Sequence, residues 1–193
     1  MPLNATLLSD LEAAWRRLHP PLLNSLQDGL SHEEMEERMR PTGLVLPPEL
    51  RAWWSWHNGP SAVGMYITPA CELLSLDLAI EIADAHHENA VAVAANGGSG
   101  NPDDLWPPTY LPVFKWADWT IAADCTIQRP SSPLFCIDAM HSFGNRALVA
   151  PSVGDAVGRW VEMYEAGYYV RDESNDDWVE TGLAQDIATL NLI

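Results

Sequence analysis

The chain has 193 residues, with 27 Asp or Glu against 10 Lys or Arg, a formal net charge of −17. That acidity excludes direct binding to duplex nucleic acid, which needs cations to replace phosphate counterions, and disfavours adhesion to anionic lipid. Hydrophobic residues at 47% and charged residues at 19% describe a globular chain long enough for one well-cored domain, not a disordered acidic tail.

Leu7, Leu8, Leu11, Ala14, Trp15 and Leu18 fall at helical spacing and predict a first helix, ended by Pro20 and Pro21. Ser31 opens a second, with Glu34 in capping-box position. Its outer face is Glu33, Glu34, Glu36 and Glu37, and Met35 and Met39 lie on the apolar side. After a Pro-Thr-Gly turn, residues 46–59 predict a third helix. Pro48 suits its first turn, Gly59 supplies a left-handed residue to close it, and Leu50, Trp53, Trp54 and His57 share a side. Residues 75–88 read as a fourth, with Leu78, Ile82 and Ala85 inward, and a Gly/Pro-rich loop occupies 96–108.

The period then changes from helical to extended. Residues 111–116, 119–123, 133–138 and 146–149 are short apolar or alternating runs divided by turn residues. Ser152, with Asp155 in capping-box position, starts a helix through Val157, Trp160, Val161 and Tyr164 to Gly167. Residues 168–171 and 178–180 read as late strands, and the tail from 183 as a short terminal helix. The expected fold is α+β: one domain over 1–193, an antiparallel sheet of short strands packed against several helices.

Three cysteines, Cys71, Cys125 and Cys136, make an odd number without a CxxC pair. Buried free thiols in a reducing cytoplasm are expected, not a disulfide framework or a thiolate zinc site. The first residues lack the basic-then-apolar pattern of a secretory signal, and no run approaches the roughly 18 apolar residues of a membrane span. A cytoplasmic chain is the expectation.

The side chains that invite catalytic readings do not converge in sequence. His86 and His87 are adjacent and so point about 100° apart on a helix, unlike an i, i+4 chelating pair; a solvated helix end accounts for them and for Glu88. The glycine loop from Asn96 to Asn101 has neither the Lys-Ser/Thr nor the strand-to-helix setting of a phosphate cradle. Cys125 or Cys136 with His141 would make a nucleophile pair, but Cys136 lies inside an apolar run where inert thiols belong. No cofactor, metal site or enzymatic activity is expected. Of nine tryptophans, Trp15, Trp53, Trp54 and Trp160 fall on apolar helix faces and belong in the core; Trp116 and Trp119 bracket a turn that exposes at least one of them.

An ordered set of elements carries a family resemblance. Leu46-Pro47 leads into a helix ending His57-Asn58-Gly59. Trp106-Pro107 and Leu111-Pro112-Val113 open a strand, Leu134-Phe135-Cys136-Ile137-Asp138 ends another in Asp with Gly144 after it, and the helix containing Asp155 to Tyr164 closes the set. This pattern, over about residues 30–167, resembles the SUKH superfamily, which includes the fungal cell-wall assembly regulator and many bacterial immunity proteins of polymorphic toxin systems. Asn145-Arg146-Ala147-Leu148-Val149 stands where the family has Gly-Gln-Val, and the segment 89–108 is long. The resemblance implies a non-enzymatic binding module that docks a protein, in the bacterial members often a toxin and frequently a nuclease.

The acid excess fits that implication, because an acidic inhibitor can fill the basic groove of a nuclease. Of the 17 excess charges, eight fall in residues 65–128, six in 129–193 and three in 1–64. The expected partner-binding residues are Asp103, Asp104 and Asp118 with Trp106 and Trp119 as exposed aromatics, and then Asp172, Glu173, Asp176 and Asp177. Three functions compete: an immunity protein neutralising a basic cognate toxin, an intracellular regulatory scaffold like the fungal members, and an enzyme holding a small cation in an acidic cleft.

Overall fold

The alternating runs after residue 109 form the frame of the molecule. The computed structural model describes residues 1–18, 20–61, 65–68, 71–96, 101–116, 119–138, 146–172 and 177–181, apart from the side chains of Pro20, Asp138 and Asp177. Six strands make one antiparallel sheet in sequence order: β3 (Tyr66–Thr68), β4 (Cys71–Leu73), β5 (Tyr110–Trp116), β6 (Trp119–Asp124), β7 (Leu134–Asp138) and β8 (Arg146–Ala150). The long hairpin β5–β6 pairs Trp116 with Trp119 at its turn and Tyr110 with Asp124 at its base, and a bulge lies between Pro112 and Phe114. Pro112 has no N–H to give a ladder, and the bulge accommodates it.

Ahead of the sheet come α1 (Ala5–Leu18), α2 (Pro20–Ser25), β1 (Leu26–Asp28), α3 (His32–Met39), a 3-10 turn at Arg40–Thr42, α4 (Pro48–Trp56) and β2 (His57–Pro60). Strands β1 and β2 pair with each other. Helix α5 (Leu76–Ala95) follows β4, α6 (Pro102–Leu105) precedes β5, α7 (Val153–Glu165) follows β8, and β9 (Tyr169–Asp172) and β10 (Asp177–Glu180) form a closing hairpin. This is a single α+β domain. The predicted caps are present: Ser31 and Glu34 form a full capping box, and the Ser152 hydroxyl accepts from the Asp155 N–H.

Two readings change. Helix α4 ends at Trp56, and Gly59 is left-handed (φ 71°) inside the short strand β2, where a Cβ would overlap the backbone of Leu74 and Ser75. Helix α1 ends at Leu18, ahead of Pro20 and Pro21 as expected, and the two prolines begin α2, because proline fits a first helical turn. Helix α5 runs seven residues beyond its expected end, and it buries Leu76, Ala79 and Ala90; Ala85 is exposed. The alanine-rich stretch 90–95 continues the helix on propensity. The expected terminal helix lies outside the described residues.

The sheet has a core on each face. Ile121 and Ala123 point into the main core with α1, α4 and α7, whereas Ala122, between them, joins Ala90, Leu105, Trp106, Tyr110 and Ile137 under α5 and α6. Phe114 is held edge-on between Trp53 of α4 and Trp160 of α7, at centroid distances of 5.4 and 5.0 Å. Each such aromatic pair adds about 1 kcal/mol beyond its buried area.

Glu49 sits in the first turn of α4 and is only 2% exposed. Its Oε1 accepts from the Leu3 N–H at 2.8 Å and the Gly154 N–H at 2.9 Å; its Oε2 accepts from the Val153 N–H at 3.2 Å and from the Ser132 N–H. One side chain thus satisfies donors on the N-terminal segment, the approach to β7 and the first turn of α7, whose dipole favours a carboxyl group there. Glu49→Ala leaves three buried donors and one part-buried donor without their partner and is expected to lower unfolding stability by about 3 kcal/mol or more. Urea unfolding with an unchanged slope measures it, and a loss under about 1 kcal/mol contradicts this role.

Candidate protein-binding face

Helix α5 carries no Lys or Arg, and its solvent side is a row of carboxylates: Asp77, Glu81, Asp84 and Glu88, all exposed. Spacings of four, three and four residues place them on one stripe about 16 Å long. Asp77, at its start, pairs with Arg38 of α3 at 3.0 Å. Beside it, α3 exposes Glu33, Glu36 and Glu37. At the other end, α6 packs against α5 and exposes Asp103 and Asp104, whose backbone carbonyls accept from Arg146 Nη2 at 3.3 and 2.7 Å. Helices α3, α5 and α6 therefore present one acidic face.

A cleft of about 230 Å³ opens beside the stripe. Its walls are Pro41, Thr42 and Leu44 of the α3–α4 connector, Ile80, Ala83, Asp84 and His87 of α5, and Trp106, Pro108, Tyr110 and Leu111 leading into β5. A larger hollow of about 390 Å³ lies across the connector, floored by Met35 and Met39 and edged by Arg40 and Arg51. Its lining mixes signs, with Arg40 and Arg51 beside Glu36 of the acidic face.

The residues expected from sequence divide between places. Asp103 and Asp104 are exposed and join the α5 stripe; Trp119 is 37% exposed at the start of β6. Trp106 corrects the expectation of an exposed aromatic. It is 1% exposed, packs on His86 with a centroid distance of 4.5 Å, and contributes only ring surface to the cleft wall. Asp172 is half-buried at the end of β9, opposite Asp177 of β10. That hairpin abuts β3, where Trp178 Nε1 donates to the Tyr66 carbonyl at 2.9 Å. Asp103 and Asp104 lie by β8, the opposite edge, five strand spacings or about 24 Å away. The two expected clusters do not form one patch. Asp118, Glu173, Asp176 and the side chain of Asp177 lie outside the described residues.

In 75–88 the inward apolar face is the stronger sequence signal, and it masks the α5 stripe. The same 3.6-residue period, applied to its acids, finds Asp77, Glu81, Asp84 and Glu88 directly.

His86 and His87 are not a solvated helix end. His86 is half-buried within α5, and its Nε2 lies 2.9 Å from Thr120 Oγ1 of β6. Burial holds its imidazole below the usual pKa, so the neutral ring is the folded form. The stability tied to His86 is complete above about pH 6.5 and declines as pH falls through the unfolded value. His86→Gln is expected to remove that part of the acid sensitivity below about pH 6.5, read from urea midpoints.

Cys71, Cys125 and Cys136 are all buried and unbonded to one another. Burial pushes the Cys125 thiol up to about 12 and the Cys71 thiol higher still, the reverse of an activated nucleophile. His141 lies outside the described residues. An aromatic disulfide reagent at pH 8 is expected to modify none of the three thiols in the native protein and all three after unfolding. A native thiol reacting within minutes contradicts this.

Among the described residues, no three His, Cys, Asp or Glu side chains gather as a metal-binding group, and no helix is long and apolar enough to cross a membrane. No family model matches the chain, and no curated protein matches it.

Proposed function

We propose that the protein is a non-enzymatic binding module of the SUKH type, an immunity protein that neutralises a basic cognate toxin in the cytoplasm of the cell that makes both. The observation that carries this reading is the α5 stripe: four exposed carboxylates in register, beside Asp103 and Asp104, on a helix with no Lys or Arg. Neighbouring carboxylates on such a stripe stand about 6 Å apart, inside the Debye length of about 8 Å at physiological salt, so their fields add toward an approaching partner. A nuclease groove built to hold phosphates offers the complementary sign. The ordered SUKH-like elements supply the second support, since that resemblance implies protein docking.

The acid face accelerates encounter more than it slows release. The protein encoded beside this gene is expected to co-purify with it and to bind with a rate constant that falls steeply from 50 mM to 500 mM salt. Glu81→Lys together with Glu88→Lys is expected to slow association at low salt by about tenfold or more while leaving dissociation nearly unchanged. Stopped-flow fluorescence measures both. An unchanged on-rate, or a neighbouring protein that does not bind at micromolar concentration, counts against the reading.

A further inference from the structure

We propose that the β8 edge of the sheet takes up an extended segment of a basic protein as an added strand. The proposal deepens the function above and rests on it for the identity of the partner. The two sheet edges are finished differently. At the β3 edge the closing hairpin abuts the strand, and Trp178 Nε1 donates to the Tyr66 carbonyl. At the other edge β8 ends the strand order, and among the described residues no backbone group of β8 bonds outside its ladder with β7. Successive residues of an edge strand alternately turn their N–H and C=O outward, so β8 offers donors and acceptors to another strand.

No side chain guards that edge. The strand has no proline or lysine, and its one charged side chain, Arg146, is turned back onto the molecule. Its guanidinium donates to the Asp103 and Asp104 carbonyls and stands 5.2 Å from the Tyr110 ring centroid. Leu148 is 60% exposed and pairs with Phe135, so the two share a face of the sheet. Phe135 packs against the core under α5 and α6; that core stops at β7, and Leu148 continues it as an uncovered apolar step. An added strand covers Leu148 with one of its alternate side chains while its backbone extends the ladder. The β7–β8 register is regular from Arg146 to Leu148 and shifts beyond it, which confines the new pairing to that stretch. Charge decides the occupant. Asp103 and Asp104 stand exposed at the Arg146 end of β8, and α5 with its carboxylates covers the same side of the sheet. A second copy of a chain at −17 would bring like charges together, whereas a segment with Lys or Arg beside its apolar positions brings the complementary sign.

The test uses the intact protein and the peptide N-acetyl-Lys-Thr-Val-Thr-Val-Thr-Lys-amide, whose lysines and valines share one face when extended. Saturable shifts of the assigned amide resonances of residues 146–148 are expected, with a dissociation constant on the order of millimolar. Hydrogen exchange of the outward β8 amides should slow at least about fivefold at saturation. A peptide with two prolines in place of its central Thr-Val keeps its charge and should bind at least about tenfold more weakly; so should one with Glu in place of Lys. Leu148→Asn should weaken binding about threefold, and because Leu148 is exposed that variant keeps its fold. Equal binding of the proline or glutamate peptide, an unaffected Leu148→Asn, or shifts confined to α5 overturn the proposal. So does a free protein that dimerises in sedimentation and is dispersed by Leu148→Asn, since the edge then belongs to a second copy. The same variant separates the proposal from the function it rests on. A neighbouring toxin that binds wild type and Leu148→Asn equally leaves the acid face standing and removes the added strand. Peptide binding at β8 that survives when no neighbouring toxin is captured keeps the open edge and removes the immunity reading.

Discussion

Four backbone N–H groups converge on the carboxyl of Glu49, and the arrangement of the molecule depends on that convergence. A buried carboxyl group is tolerable only when its oxygens are filled by donors, and here three separate segments supply them. The side chain fixes α4 against the start of α7, so Trp53 and Trp160 close on Phe114 from two directions. It also anchors the end of the connector that forms one wall of the cleft. A polar contact deep in the core thus governs where an exposed surface can form.

The sheet was legible because its strands announce themselves twice, by alternation and by the turn residues between them. Residues 111–116, 119–123 and 146–149 stand within a residue or two of β5, β6 and β8. Strands β1 to β4 were not, because three- and four-residue segments such as Leu26–Asp28 carry too few side chains to show a period. Glu49 was hidden for a different reason. A glutamate in a first helical turn reads as an exposed partner of the helix dipole, and only the fold reveals that a second helix begins against it. Trp106 shows the converse: beside Asp103 and Asp104 in a loop-like sequence it reads as exposed, yet α5 extends far enough to cover it.

The proposed binding surface was half legible. Counting acids located the excess in the middle of the chain, and Asp103 and Asp104 lie on the resulting face. Their joining with Asp77, Glu81, Asp84 and Glu88 depends on α6 packing against α5, a long-range fact that no local pattern contains. The separation of Asp172 from that face has the same origin. Sequence position places Asp172 close to β8, whereas the sheet order sends its hairpin to the β3 edge.

The carboxylate stripe has a cost that falls on the free protein. Asp77 with Glu81 and Asp84 with Glu88 are like charges at i, i+4, each destabilising a helix by about 0.2–0.5 kcal/mol. Among the described residues, only the first position has an ionic neighbour, in Arg38. Helix α5 is therefore held by its packing against the cores while its outer face works against it. A cationic partner would remove that repulsion as it binds, so recognition and the relief of internal strain are one event. On the proposed function, substitutions that relax α5 in isolation would weaken its hold on a partner, so stability and recognition would pull in opposite directions on this helix.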